Sequence, residues 1–277
     1  MKLRNLKRSL AKRSIQRPNL FLNPSDHLGF EVLIDGCWDQ FLTDSIETVG
    51  ADDGSSLFID VGANIGLITI QVAKSFKNLI AFEPNPIAFS ILQANALTHI
   101  AASKLSLRNC GLGYQQELAA LKIPRNNLGG AFVDSFDNKL SSEELAKKEG
   151  GKLDITNTFD ISIEPATDFF QSITSQVENI HNRIVIKVDV EGMEEPIIRA
   201  LIDSDLWHSK EVICFIETWS QDLKCKLMKD LSGRILIQPK NQMKWLDPLD
   251  IDNPEDATEL CCWNVNLPQQ EALKLCQ

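Results

Sequence analysis

Two acidic residues and a pair of glycines lie where the chain is expected to leave two neighbouring strands. The first group is the segment from Phe58 to Gly66, which holds Asp60, Gly62 and Gly66. Gly62 would allow a tight turn and a close approach to a ligand, and the free N–H groups at the start of the next helix favour an electron-rich group. Asp60 disfavours a phosphate and favours an ammonium or sulfonium group. The segment therefore predicts a site for a small cationic ligand.

The second acid is Glu83, in the segment from Ala81 to Pro86, and it follows Asp60 by 23 residues. An acid about 20 residues after a glycine-rich turn commonly accepts hydrogen bonds from the two hydroxyls of an adenosine ribose. Pro84 and Pro86 would fix the loop that carries it. The glycines do not follow the GxGxxG order that suits a pyrophosphate. Together the two segments predict a site for an adenosine-bearing cation.

A third acidic segment, from Ile186 to Glu194, holds Asp189 and Glu191. In an open α/β sheet, ligands lie at the carboxyl ends of the strands, where the strand order reverses. Asp189 or Glu191 would there be the base that takes a proton from a hydroxyl nucleophile. The alternative interpretation is a solvated acidic turn, with Glu194 as a favourable acid in the first turn of a helix.

Short apolar runs alternate with helical segments from residue 57 onward, a pattern typical of a mostly parallel sheet with helices on both faces. The predicted strands are 57–61, 79–82, 105–107, 184–188, 212–216, 234–237 and 262–265, and the predicted helices are 67–76, 87–97, 194–202 and 222–231.

Residues 113–160 break this alternation. They hold strand-like runs at 118–123 and 155–163 around a charged helical stretch from Ser141 to Glu149. An insertion of this length between the third and fourth strands either covers a ligand or forms a decorated surface hairpin.

The charge of the chain is divided between a basic start and an acidic remainder. The 277 residues carry a net charge of −10, yet residues 1–17 hold seven Lys or Arg and no acid. The acidic remainder would repel nucleic acid and anionic membranes, so only the start could bind either. We interpret residues 1–27 as a basic arm, either solvated or in weak contact with a membrane surface, and residues 28–277 as one domain.

The seven cysteines form no CxxC pair. This favours free thiols in a reducing compartment over a disulfide framework or a zinc site, and it predicts a cytoplasmic location. No apolar stretch reaches the roughly 18 residues of a membrane-spanning helix.

Four motifs together resemble the FkbM family of methyltransferases. They are DVGANIG at 60–66, FEPNP at 82–86, Gly129-Gly130 and KVDVEG at 187–192. The likeness extends from about Gly29 to Trp219, and it implies a Rossmann-like class I fold, doubly wound, with a seven-stranded sheet whose last strand is antiparallel. Residues 110–113 are richer in glycine than the family pattern, and residues 166–169 match it loosely. The carboxyl-terminal third shows little likeness, so the acceptor stays open.

The resemblance implies transfer of a methyl group from S-adenosylmethionine to a hydroxyl oxygen of a sugar, glycan or natural product. By the same likeness, the residues that line the cofactor would be Asp60, Gly62, Ala63, Asn64, Gly66, Glu83, Asn85 and Asn109, and the catalytic residues would be Asp189 and Glu191. This interpretation needs no metal.

A less favoured variant has a divalent ion on Asp189, Glu191 and Glu217 to acidify the hydroxyl. The alternative functions are a nucleotide-dependent oxidoreductase on a similar sheet and a non-catalytic module that binds an adenosyl cofactor.

Overall fold

The strands of the main sheet form where the sequence is most continuously apolar. The computed structural model describes residues 20–50, 56–125, 127–134, 145, 153–177, 182–239, 242–250, 257, 259–264 and 266–267. All five residues of the first strand, Leu57–Val61, are buried. Ile59 packs into the apolar cluster on one face of the sheet and Phe58 into the cluster on the other. Helices therefore cover both faces, as the sequence predicts.

The structure has eleven strands and eight α-helices within the described residues. The strands are β1 (Leu57–Val61), β2 (Asn78–Phe82), β3 (Leu105–Arg108), β4 (Gly111–Gly113), β5 (Glu117–Pro124), β6 (Phe132–Asp134), β7 (Ile155–Pro165), β8 (Arg183–Val188), β9 (Glu211–Glu217), β10 (Ile235–Gln238) and β11 (Glu259–Trp263). The helices are α1 (His27–Asp35), α2 (Gln40–Val49), α3 (Leu67–Val72), α4 (Pro86–His99), α5 (Ala166–Val177), α6 (Glu194–Ile202), α7 (Asp205–Ser209) and α8 (Gln221–Asp230).

Seven strands form the main sheet in the order β10-β11-β9-β8-β1-β2-β3. β11 runs antiparallel to both of its neighbours, and the β1, β2, β3, β8 and β9 pairings are parallel. From β1 the chain builds outward to β3, and it then returns to the other side of β1 to form β8. The strand order thus reverses between β1 and β8, whose carboxyl ends flank the expected ligand position. The predicted class I sheet with its antiparallel last strand is confirmed.

The insertion forms a second sheet of four strands, in the order β4-β7-β5-β6. The strand-like runs predicted at 118–123 and 155–163 are confirmed and are slightly longer than predicted, since β5 and β7 pair antiparallel along their lengths. The helical stretch predicted from Ser141 to Glu149 lies outside the described residues, apart from Leu145.

Two predicted elements differ from the structure by more than two residues at one end. β11 begins at Glu259 rather than Cys262, because residues from Glu259 onward pair with both β9 and β10. α3 ends at Val72 and is followed by a 3-10 turn over Ala73–Ser75, which turns the buried Phe76 ring onto Phe58 at a centroid distance of 5.2 Å.

The boundary predicted after residue 27 falls inside α1, which begins at His27. The preceding residues pack on the domain: the Phe21 backbone N–H donates to Asn95 Oδ1 at 2.6 Å. Residues 1–19 lie outside the described residues, so the basic arm stays a prediction for that part. Among the helices that the structure describes, none is long and apolar enough to cross a membrane.

Candidate functional site

The turn after β1 is tied to the carboxyl ends of both neighbouring strands. The backbone N–H groups of Gly62 and Ala63 donate to the Phe82 carbonyl at 3.0 and 2.9 Å. Gly62 has a φ of +83°, and a Cβ atom there would lie 1.8 Å from the backbone oxygen of Asp189. The sequence predicts a close approach of Gly62 to a ligand, and the close approach seen in the structure is to the loop after β8. Glycine is therefore required here by both conformation and space.

The same turn places Asn64 and Gly66 in left-handed conformations. Asn64 has a φ of +51° and Gly66 a φ of +88°. A Cβ atom at Gly66 would lie 2.6 Å from the Leu92 side chain, so glycine lets α3 begin close to α4. Asn64 Oδ1 is buried and has no hydrogen-bond partner within the described part of the chain. It is an acceptor that lines the cleft and that a ligand can use.

Glu83 holds its carboxylate at the tip of β2 through two backbone hydrogen bonds. The N–H of Asn64 donates to Oε2 and the N–H of Asn85 donates to Oε1, each at 2.8 Å. Burial raises the pKa of Glu83 to about 7, and the two N–H donors oppose that shift. Each oxygen keeps a further lone pair, so the carboxylate can accept two more hydrogen bonds from a ligand with adjacent hydroxyls.

Asp60 is fully buried, and it contacts other residues of the site rather than the cleft. Its Oδ2 accepts from the Thr69 hydroxyl, and its Oδ1 lies 3.3 Å from Lys187 Nζ. Because successive residues of a buried strand point to opposite faces, Asp60 points under α3. The geometry does not support the direct contact with a cationic ligand that the sequence suggests for Asp60. Its charge acts on the site through Lys187.

Lys187 lies between two carboxylates at the end of β8. Its Nζ is 3.3 Å from Asp189 Oδ2, as it is from Asp60, and it donates to the Gly62 carbonyl at 2.9 Å. The two carboxylates outweigh the effect of burial and raise the pKa of Lys187, so the ammonium stays charged. Lys187 thereby fixes Asp189 beside the turn after β1.

The loop after β8 turns through two left-handed residues. Glu191 has a φ of +54° and Gly192 a φ of +101°. The Gly192 N–H donates to Glu194 Oε1 at 2.9 Å, and burial raises the pKa of Glu194 to about 7. Glu194 is thus buried as a support of the loop, whereas Asp189 and Glu191 are partly exposed and face the cleft. The loop is thus partly buried rather than a fully solvated turn, Glu194 lies in the first turn of α6, and the catalytic roles of Asp189 and Glu191 stay a prediction.

The cleft has two compartments that share a wall. The first, which we name the apolar compartment, encloses about 670 Å³ of partly open space. Glu83 and Pro84 line it on the side of the main sheet, and Gly111, Leu121 and Ile163 line it on the side of the second sheet. The insertion therefore covers the cleft, which is the first of its two predicted roles. Apolar walls with a few convergent polar groups are typical of a cofactor site.

The second, which we name the polar compartment, encloses about 860 Å³ of partly open space. It is lined by charged side chains, Lys187, Asp189, Glu191 and Glu217, and by the aromatic rings of His27 and Trp38. The two compartments share Gly62, Asn64, Gly129, Asp189 and Glu191. Molecules bound in the two compartments would therefore contact some of the same residues.

Two predicted cofactor residues support the site from behind. Asn85 is buried and caps α4, with Oδ1 accepting from the N–H groups of Ile87 and Ala88. Asn109 Nδ2 donates to the carbonyls of Glu83 and Pro84 at 2.8 and 3.3 Å. Neither side chain lines a compartment.

Several residues of the cleft were not predicted from the sequence as ligand contacts. Gly129 packs against the Asn64 side chain, since a Cβ atom there would lie 2.7 Å from Nδ2. His27 comes from α1 and Trp38 from the segment after α1, and their ring centroids are 6.3 Å apart. Lys187 stands inside the KVDVEG motif, and its charge within an otherwise apolar predicted strand was the signal that could have identified it. The other contacts join segments far apart in the chain.

The sequence matches a family model described as the methyltransferase FkbM domain over residues 60–226. The chain belongs to this family. The matched range contains the turn after β1, the tip of β2 and the loop after β8. The assignment gives the protein a methyltransferase domain, as the motifs suggest, and does not support the oxidoreductase alternative.

Two curated relatives are fungal methyltransferases. Methyltransferase 1 of Beauveria bassiana is 26% identical over 200 residues, which are 68% of this chain and 74% of the relative. Methyltransferase sdnD of Sordaria araneosa is 24% identical over 194 residues, 66% of this chain and 73% of the relative. A solved structure of a methyltransferase from Streptococcus mutans in complex with SAH is 12% identical. The match covers 82% of this chain and 97% of that protein's chain, with a TM-score of 0.43. A likeness this low carries no argument about function.

The methyl donor of the family, S-adenosylmethionine, fits the residues present. Glu83 offers two carboxylate oxygens for ribose hydroxyls, and the buried Asn64 Oδ1 is an acceptor for the donor's ammonium group. Within the described residues, no three His, Cys, Asp or Glu side chains are grouped to hold a metal ion. The variant with an ion on Asp189, Glu191 and Glu217 therefore has no supporting geometry.

Proposed function

We propose that this protein transfers the methyl group of S-adenosylmethionine to a hydroxyl oxygen of a small-molecule acceptor, a sugar or another natural product. The proposal rests on the wall shared by the two compartments. Glu83 in the apolar compartment suits the adenosine, and the carboxylates of the polar compartment suit an acceptor that donates hydroxyl hydrogen bonds. Asn64, Asp189 and Glu191, on the shared wall, would then lie where methyl donor and acceptor meet.

The donor supplies a reactive methyl sulfonium, so the protein must align the acceptor and remove a proton. Holding two reactants in line lowers the entropic part of the barrier, by up to about 7–11 kcal/mol in well-oriented intramolecular reactions. We propose that Asp189 and Glu191 contact the acceptor hydroxyl. Lys187 keeps Asp189 in one orientation through their ion pair. A carboxylate of the polar compartment would take the hydroxyl proton, since a neutral hydroxyl is a weak nucleophile.

Two measurements test this function in turn. Calorimetric titration with S-adenosylmethionine and, separately, NADH should show binding of the first and none of the second. Release of S-adenosylhomocysteine is then followed with a panel of methyl glycosides and phenols, which present hydroxyl groups of different acidity. Binding without turnover of any panel member would favour the non-catalytic module. Failure to bind S-adenosylmethionine would contradict the proposal.

We also propose a cytoplasmic location. Its support is that the six described cysteines, Cys37, Cys110, Cys214, Cys225, Cys261 and Cys262, are all free thiols, as expected in a reducing compartment. Fractionation of cells that produce the tagged protein tests it, and recovery in a secreted or membrane fraction would contradict it.

A further inference from the structure

An additional carboxylate, Glu217, reaches the polar compartment from the last residue of β9. It lines this compartment together with Lys187, Asp189 and Glu191. The indole N–H of Trp219 donates to its Oε1 at 3.3 Å and orients the side chain. Glu217 lies outside the three motifs from which the reaction centre was predicted, yet it faces the same space as Asp189.

A second carboxyl group lies directly opposite Glu217 on the neighbouring strand. In the antiparallel pairing of β9 with β11, Glu259 is the partner of Glu217. Side chains of directly opposed residues lie on the same face with Cβ atoms about 4.5–5.5 Å apart, and two like charges there destabilise the sheet. Burial, followed by the charges of Glu217, Asp189 and Asp39, raises the pKa of Glu259 well above its usual value, and Lys187 opposes this shift. In general, two carboxyl groups that share one site favour a state with one proton between them, because like charges so close cannot both ionise readily.

The ion pair of Asp189 bears on which acid of the compartment takes a proton. Asp189 lies 3.3 Å from the ammonium of Lys187, which also binds Asp60. A proton placed on Asp189 would remove the charge that holds this contact. Asp189 therefore suits orientation of a hydroxyl more than uptake of its proton. Glu217 lies opposite a carboxyl group that, when protonated, can donate a hydrogen bond to it and stabilise its charge.

We propose that Glu217 and Glu259 form a carboxyl–carboxylate pair and that Glu217 takes the proton of the acceptor hydroxyl, which makes Glu217 a further catalytic residue and Glu259 its positioning residue. The inference rests on the proposed methyl transfer. In the step, the acceptor O–H bond breaks and its proton goes to a Glu217 carboxylate oxygen. The acceptor oxygen forms its bond to the methyl carbon as the carbon–sulfur bond breaks, and that electron pair stays on sulfur. Charge and atoms balance without a further reactant.

The pair itself is tested by carbon-13 NMR titration of the glutamate carboxyl groups in the full chain bound to S-adenosylhomocysteine. Besides Glu83 and Glu194, whose pKa values are raised to about 7, we expect one further carboxyl resonance to titrate above the range of ordinary glutamates. This resonance should vanish in Glu259→Gln, and in Glu217→Gln it should titrate at lower pH because the neighbouring charge is lost. It should persist in the control Glu211→Gln, at the opposite end of β9, where the side chain binds Arg183. Absence of this further resonance from the wild type, or an unchanged titration of it in Glu217→Gln, would overturn the pair.

The catalytic role is tested on panel members that the wild-type protein methylates. Glu217→Gln should lower kcat by about 100-fold or more while affinity for S-adenosylhomocysteine stays within about threefold. Glu217→Asp, which keeps an acid, should recover part of the rate. Glu259→Gln should retain turnover but lose the inflection of the rate–pH profile that coincides with the Glu259 titration, a change that a purely structural role would not produce. A kcat of Glu217→Gln equal to that of the wild type would refute the catalytic role. Absence of methylation by the wild-type protein would instead count against the proposed function, and the NMR result on the pair would still stand.

Discussion

Replacement of Glu83 by Gln gives a sharp test of how the cleft holds its cofactor. Both Glu83 oxygens accept backbone N–H groups at 2.8 Å, one from Asn64 and one from Asn85. In Glu83→Gln, the amide NH₂ must face one of these donors, and the negative charge that would attract the ribose hydroxyls is lost. A hydrogen bond to a charged group contributes about 1.5–3 kcal/mol. We therefore expect the affinity for S-adenosylhomocysteine to fall roughly 10- to 150-fold.

The pH dependence of binding gives the same prediction a second readout. Ribose hydroxyls donate to the ionised carboxylate, so binding favours loss of the Glu83 proton, and affinity should fall as the pH drops below the pKa of about 7. If the ligand binds only to protein with an ionised Glu83, the fraction of protein in that form falls about tenfold between pH 8 and pH 6. The affinity then falls by the same factor. Glu83→Gln should abolish this dependence.

Calorimetric titration at pH 6, 7 and 8 measures both effects, with Glu211→Gln as the control for a lost carboxylate away from the cleft. Glu194 also has a pKa of about 7, so the variant separates the two acids. Retention of the pH dependence in Glu83→Gln would assign it to Glu194. Affinity of Glu83→Gln within about twofold of wild type would refute the role of Glu83 altogether.

Three further substitutions test other parts of the site. Gly62→Ala should weaken cofactor binding and lower the free energy of unfolding by about 1–3 kcal/mol, because the new Cβ atom would meet Asp189. Urea unfolding tests this against the control Gly233→Ala, where φ is +75° but the space is open. Equal losses of stability in the two variants would contradict the prediction. Asp189→Asn should lower kcat about 100-fold with cofactor affinity within about threefold, and unchanged turnover in single-turnover assays would exclude Asp189 from the reaction centre. Lys187→Met should leave the Asp60 charge buried and unpaired and lower the free energy of unfolding by about 3–5 kcal/mol; an unchanged thermal midpoint would show that Asp60 does not depend on Lys187.

The sequence was sufficient for the strands that are buried on both faces. Leu57–Val61 is found with the predicted bounds, and the helix Glu194–Ile202 likewise. Local patterns of apolar residues predict such elements, and glycines and prolines mark the turns between them. The position of Glu83 at a strand end could be predicted for the same reason.

Features that depend on pairing between distant segments could not be predicted. The register that places Glu259 opposite Glu217 joins residues 42 positions apart, and nothing in either local sequence marks the other. The burial of Asp60 is a second example. A carboxylate in a strand is predicted as exposed or ligand-bound, but a lysine on the adjacent strand neutralises it here. Long-range contacts of this kind decide which acids of a motif reach the ligand and which support those that do.

The hydrogen bond from the Leu128 backbone N–H to Asp26 Oδ1, 2.7 Å long, bears on how shortened versions of this protein should be made. Helix α1 begins at His27, which makes that residue an inviting start for a trimmed expression clone. A clone starting there would discard Asp26, the residue that tethers the Asn127–Gly130 loop between the two compartments. Expression boundaries should therefore be set before Leu20, so that the loop keeps its anchor.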